Sequence, residues 1–258
     1  MLPENEAHTQ DTALREDEAY SPLITELTTP EGWGVSLDRI VDQESIRLDA
    51  EHYHPKIICN LDTIRTANCE LVPLNELATI DLPGQFVRIW AQDSEHGVPY
   101  LNATDLLCYA AFGVPALVRY LSYASEVNIP RLIVREGMIL VTCSGTIGRV
   151  FEVPAALDGW AGTHDIVRIT ANNQSTRGYL RIILTSPYVQ TQILSHTHGG
   201  QIDHITAEQI GSCQIPLLSQ RQMEQISFQV IEAESMKQQA TKLFHNSLNL
   251  IDSIISDA

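Results

Sequence analysis

The 258-residue sequence lacks the signatures of most enzymes that work on nucleic acids or nucleotides. Gly145 and Gly148 are not followed by the lysine that a P-loop needs. No pair of acids precedes Lys56 or Lys237 in the manner of a metal-dependent nuclease core, and no Asn/Asp-Pro-Pro-Tyr/Phe motif or glycine-rich cofactor turn of the adenine methyltransferases occurs. The five cysteines (Cys59, Cys69, Cys108, Cys143 and Cys213) are scattered, with no Cys-x-x-Cys pair and no zinc-like Cys/His spacing, which points to a reduced interior without a disulfide framework. No apolar run approaches the roughly 18 residues of a membrane span, and the start shows no charged segment leading into an apolar signal core. The expectation is a soluble, cytoplasmic, non-catalytic protein with no metal and no cofactor of its own.

Positive charge is also scarce. The chain carries 16 basic and 32 acidic side chains, a net charge of -16, which is unfavourable for holding a polyanion. The acids are unevenly placed: residues 1–70 hold 15 acids and 5 bases, whereas residues 71–215 hold 12 acids and 8 bases. All eight of those bases are arginines, which pair with phosphate and read guanine edges in a bidentate way. Salt bridges to the twelve acids are the competing use for each of them.

Four segments follow from composition and periodicity. Residues 1–30 form an acidic leader with little apolar pattern, expected to be disordered. Residues 31–70 read as an extension packing on the main domain, with a helix marked by Ile57, Ile58, Leu61 and Ile64. Residues 71–215 are mixed and loop-rich. Strands are predicted near Leu71, over 97–101, 139–141, 149–153 and 166–169, a turn or short helix starts at Asn102 or Thr104, a further short helix begins near Thr206, and a helix from Arg177 is interrupted or restarted by Pro187. A variable stretch over 108–130 concentrates Tyr109, Phe112, Tyr120 and Tyr123. Residues 216–258 form one long helix, opened by a capping box of Ser219 and Gln222. Its apolar positions recur every three or four residues, from Ile226 and Val230 to Ile251 and Ile254. A helix of this length exceeds what the domain can cover, so it is read as a coiled-coil seam awaiting a partner. The fold class expected is α+β.

The order of motifs carries more than any one of them. Residues 137–149 read Gly-Met-Ile-Leu-Val-Thr-Cys-Ser-Gly-Thr-Ile-Gly-Arg, a buried strand running into a glycine turn. They are followed by Tyr179-Leu180 with Leu184 and Ser186-Pro187, then Gly199-Gly200-Gln201-Ile202-Asp203-His204-Ile205, then Gln214-Ile215-Pro216-Leu217, and Arg47-Leu48-Asp49-Ala50-Glu51-His52-Tyr53 lies upstream. This series resembles the target recognition domain of the specificity subunits of type I restriction-modification systems. The pattern there is G-D-I-L-x-x-x-S-G-T-I-G-R, Y-L-x-x-x-L-x-S-P, G-x-x-Q-x-H-I and I-P-L-P ahead of a long helix. The resemblance covers about residues 71–245. The family's usual chain holds two recognition domains spaced by two long helices; here one set is visible and no internal repeat occurs, so a single-domain "half" form is implied.

The resemblance implies a DNA-binding subunit that directs a modification methyltransferase, which uses S-adenosylmethionine, and through it the restriction subunit, to half of a bipartite site on double-stranded DNA. Two copies, or two different halves, would pair through the C-terminal helices. Expected contacts are Arg88, Arg119, Arg131, Arg149, Gln201 and His204, with Ser144 and Thr146 in the glycine turn and Tyr120 and Tyr123 in the variable stretch. For Gln201 and His204 a second reading stays open, that they cap the helix beginning near Thr206. Cys143 stands where the family is often basic or polar. A nucleophile at Cys143 or Ser144 served by His164 and Asp165 would need a strand-to-helix elbow, whereas Arg149 continues into a strand. His196, His198, Asp203 and His204 fit no common zinc spacing. An acidic interaction protein that keeps the fold without reading DNA is the rival expectation.

Overall fold

A computed structural model describes residues 32–41, 48, 53–113, 115, 117–196 and 204–256. The acidic leader, most of the 47–53 motif, Gln201 and Asp203 lie outside these residues. The chain divides into two compact units, Met1–Pro55 and Lys56–Ala258. Within the first, α1 (Leu37–Val41) is a short helix and Trp33 meets His54 edge to face at 5.1 Å.

The second unit opens with α2 (Pro55–Arg65) and then alternates short strands and helices. Strand β1 (Glu70–Pro73) turns at Pro73 into α3 (Leu74–Leu77) and on into β2 (Ala78–Asp81). Next come β3 (Trp90–Ala91), β4 (Gly97–Leu101), α4 (Ala103–Phe112), β5 (Arg119–Ser122) and α5 (Ile129–Leu132). The glycine-turn motif lies between β6 (Ile139–Thr142) and β7 (Val150–Glu152), ahead of β8 (Ala161–Gly162) and β9 (Ile166–Ala171). Helices α6 (Arg177–Ile183), α7 (Pro187–Ser195) and α8 (Ala207–Gly211), strand β10 (Gln214–Leu217) and α9 (Gln220–Ser256) complete it.

Two four-stranded sheets form, in the orders β2-β9-β6-β7 and β3-β5-β4-β8, with β1 and β10 paired antiparallel as a separate ribbon. Strand β6 is buried at all four positions, which explains its unbroken apolar run. Its residues divide between two cores. Ile139 and Val141 join Leu180, Leu184, Val189 and Ile193 of the helical side, while Leu140 faces Leu101, Leu106, Val134 and Leu157. Each such aliphatic side chain contributes about 1.5 to 3 kcal/mol on burial.

The helix starts follow the local chemistry. Asn102 caps α4 in a complete capping box with Asp105, Thr206 caps α8 in another with Gln209, and Ser186 caps α7 ahead of Pro187. At Ser219 the box is half formed: the Gln222 side chain accepts from the Ser219 amide at 3.1 Å, but the serine hydroxyl turns to that same side chain at 2.6 Å. Within the variable stretch, α4 continues to Phe112 and β5 occupies 119–122.

Helix α9, at 1.5 Å per residue, is about 56 Å long. It crosses α6 closely: a Cβ on Gly178 would lie 2.6 Å from the Ser227 backbone, and the Tyr179 amide donates to Ser227 Oγ at 2.9 Å. Met223 and Ser227 are its buried positions. Farther along, Leu243, Phe244, Leu250, Ile251, Ile254 and Ile255 are all more than half exposed. The seam expected from sequence thus divides along its length, the early part used by the domain and the apolar residues from Leu243 to Ile255 left exposed.

Candidate nucleic-acid interface

The turn over 144–149 is built by its glycines and fastened from inside. Gly145 and Gly148 sit at φ 68° and 83°, a left-handed backbone that side chains resist. The buried hydroxyl of Thr142 donates to the Thr146 carbonyl and accepts from the Arg149 amide at 3.0 Å, while the Gly148 amide donates to the Thr142 carbonyl at 2.9 Å. Thr146 and Arg149 are left exposed on the rim. Ser144 pairs with His204 in an isolated antiparallel bridge, and the Ile205 amide donates to the Cys143 carbonyl at 3.1 Å. The helix after His204 is capped by Thr206 itself, so His204 belongs to the turn rather than to the cap.

A web of polar side chains adjoins the turn. The Asp165 carbonyl accepts from the Cys143 amide at 3.0 Å, and its carboxylate meets Thr163 Oγ1 at 3.0 Å, His164 Nε2 at 3.4 Å and Arg88 at 3.7 Å. Arg88 also donates to the Tyr100 hydroxyl at 2.8 Å and lies over the Phe86 ring. Burial holds the His164 imidazole below its ordinary value; Asp165 opposes this, and the charges of Arg88 and His204 add to it. Three of the expected residues, Arg88, Ser144 and His204, are therefore brought together around His164 and Asp165.

The others are placed elsewhere. Arg119 pairs with the buried Asp105 at 3.4 Å and stacks on Trp90 at 5.0 Å. Arg131 pairs with Asp81 at 2.8 Å. Tyr120 is half-buried on β5 and Tyr123 is exposed just beyond it. Arg135, Arg177 and Arg181 pair with Asp158, Glu152 and Glu234. Arg168, almost fully buried, donates to the carbonyls of Leu132, Gly162, Thr163 and Ile166, and burial lowers its pKa to about 10. Of the eight arginines over 71–215, Arg149 is the one whose side chain makes no hydrogen bond or ion pair among the described residues.

The arrangement does not assemble a nucleophile. Burial pushes the Cys143 thiol up to about 12, and its contact with His164 is to the backbone carbonyl at 3.8 Å rather than the ring. The His164 Nδ1 is buried without a hydrogen-bond partner among the described residues. A cavity of about 490 Å³ opens between α4, β7 and α9, and its lining includes neither the turn residues nor His204. No helix among the described residues is long and apolar enough to cross a membrane.

No protein-family model matches this sequence, and no curated protein matches it significantly. Among solved structures, the type I restriction-modification system S subunit from M. genitalium aligns at TM-score 0.51 with 13% identity, over 73% of this chain and 45% of that one. The fold is that of a type I S subunit. The HsdS subunit from Thermoanaerobacter tengcongensis aligns at TM-score 0.47 with 15% identity, over 90% of this chain and 52% of that one. The chain thus spans about half the length of the S subunits it resembles.

Proposed function

We propose that this chain is a DNA-recognition half of a type I restriction-modification specificity subunit, itself without catalytic activity, which brings a methyltransferase and a restriction subunit to a half-site. The observation that carries the reading is the S-subunit fold joined to a long helix whose apolar residues from Leu243 to Ile255 are exposed. A second long helix, accompanying a further recognition domain, would cover those residues. DNA would be met by the glycine turn, with Arg149 and Thr146 on its rim and Ser144 and His204 beside it, and by Gln201, which precedes His204 by three positions in the sequence. Arg88, Arg119 and Arg131 would take part by exchanging their present acid partners for phosphate or base edges.

Titrating a labelled random-sequence duplex at two salt concentrations, with and without the methyltransferase subunit, tests this, followed by selection of bound sequences. Steep salt dependence together with an enriched half-site supports it, and absence of binding in all conditions overturns it. Seven engaged arginines in a chain of net charge -16 favour one other reading, an interaction protein of the same fold that binds the subunits without reading DNA. Capture of the methyltransferase without any enriched sequence selects that reading.

A further inference from the structure

The recognition reading leaves one polar contact of the turn unassigned. Gln190, on α7, reaches 42 residues back along the sequence and donates from Nε2 to the Gly148 carbonyl at 2.8 Å. The same nitrogen donates to the Leu184 carbonyl, beside the C-terminal end of α6, at 2.7 Å. Its Oε1 lies 2.7 Å from where a Cβ on Gly148 would stand, so only glycine lets the amide close over the turn. The neighbours Val189 and Ile193 are fully buried in the main core and fix α7 against it. Thr142 holds the turn from within and Gln190 holds it from outside, immediately before the arginine that has no partner of its own among the described residues.

We infer that Gln190 is a positioning residue for DNA recognition, setting the backbone from which Arg149 projects. The inference rests on the DNA-recognition reading. An amide is required because one nitrogen supplies both donated hydrogens, and a carboxylate at this position would face two carbonyls with no proton to give. Loss of the brace frees the turn while leaving the buried strand β6 in place.

The test combines a double-mutant cycle with hydrogen exchange on the full chain. Gln190→Ala is expected to weaken duplex binding to nearly the extent of Arg149→Ala, with no further loss in the double variant, because the brace acts through Arg149. Additive losses overturn the positioning role, since a general weakening of the fold would add. Gln190→Glu gives a second readout: its affinity, relative to Gln190→Ala at the same pH, recovers as the pH is lowered towards about 5, where a protonated carboxyl regains one donor. A ratio that stays flat counts against the donated bond. Exchange of the Gly148 and Arg149 amides should quicken in Gln190→Ala while those of β6 keep their protection; unchanged exchange overturns the brace itself. Absence of duplex binding by the unmutated chain overturns the recognition reading and the positioning role together, and the exchange result then still decides whether the brace exists.

Discussion

Arg168, in the middle of β9, and Arg149, at the entrance to β7, belong to one four-stranded sheet and are put to opposite uses. Arg168 is 4% exposed and gathers carbonyls from three segments, those at 132, 162–163 and 166, so that its guanidinium serves as an internal clamp. Arg149 follows a left-handed glycine, stands exposed and has no side-chain partner among the described residues. A count of bases therefore says little about the charge offered to a ligand. Seven of the eight arginines between 71 and 215 are engaged by acids or carbonyls, and the one whose side chain has no such partner among the described residues stands at the glycine turn.

The comparison breaks first at the clamp. Arg168→Met removes the donors of four carbonyls in the interior and is expected to cost roughly 3 to 5 kcal/mol, read as a lower urea midpoint. A loss within about 0.5 kcal/mol would show that the carbonyls find other partners and that Arg168 is no clamp. Arg119 stands between the extremes, a third exposed and paired with an Asp105 carboxyl that is 2% exposed. Arg119→Leu leaves that carboxyl with its capping-box bond to the Asn102 amide and should cost about 1 to 3 kcal/mol. Arg149→Ala sits at the other end: stability stays within about 0.5 kcal/mol, while the slope of log affinity for duplex DNA against log salt flattens by about 0.9. A destabilised Arg149→Ala chain, or one with an unchanged slope, removes the contrast with Arg168.

Legibility in the sequence follows the range of the interaction. The helix starts near Asn102 and Thr206, the restart at Pro187 and the strand–turn–strand over 139–153 rest on neighbours within a few residues and were readable. Strands β3 and β8, two residues each, have no period to detect and exist only through pairing with β5 and β4. The half-formed box at Ser219 shows the limit even of a local signal. For the site, the glycine turn and His204 could be placed from motif order, but the partners of the arginines could not: Asp81 lies 50 positions from Arg131, and Gln190 lies 42 from Gly148. His164 and Asp165, disfavoured from sequence as a base and its orienter, lie beside the turn in a polar web.

His164 tests whether the web behind the turn belongs to the fold or to the ligand. Burial keeps its folded pKa below the ordinary 6.5, with Asp165 opposing and Arg88 and His204 adding to the effect. The unfolded chain therefore takes up a proton near pH 6.5 that the folded chain refuses until the pH is lower. The associated stability is complete above pH 6.5 and declines as the pH falls through the window below it. Urea unfolding measured at intervals from about pH 7.5 down to 5 should show that decline, and His164→Phe, which keeps a ring beside Phe86, should flatten it. A slope of the same size in His164→Phe would assign the decline to other groups. Bound duplex makes the same experiment informative about the interface, because a phosphate near His204 and His164 favours the imidazolium. It would shrink the decline in the unmutated chain alone, whereas a web that serves only the fold would respond equally with and without DNA.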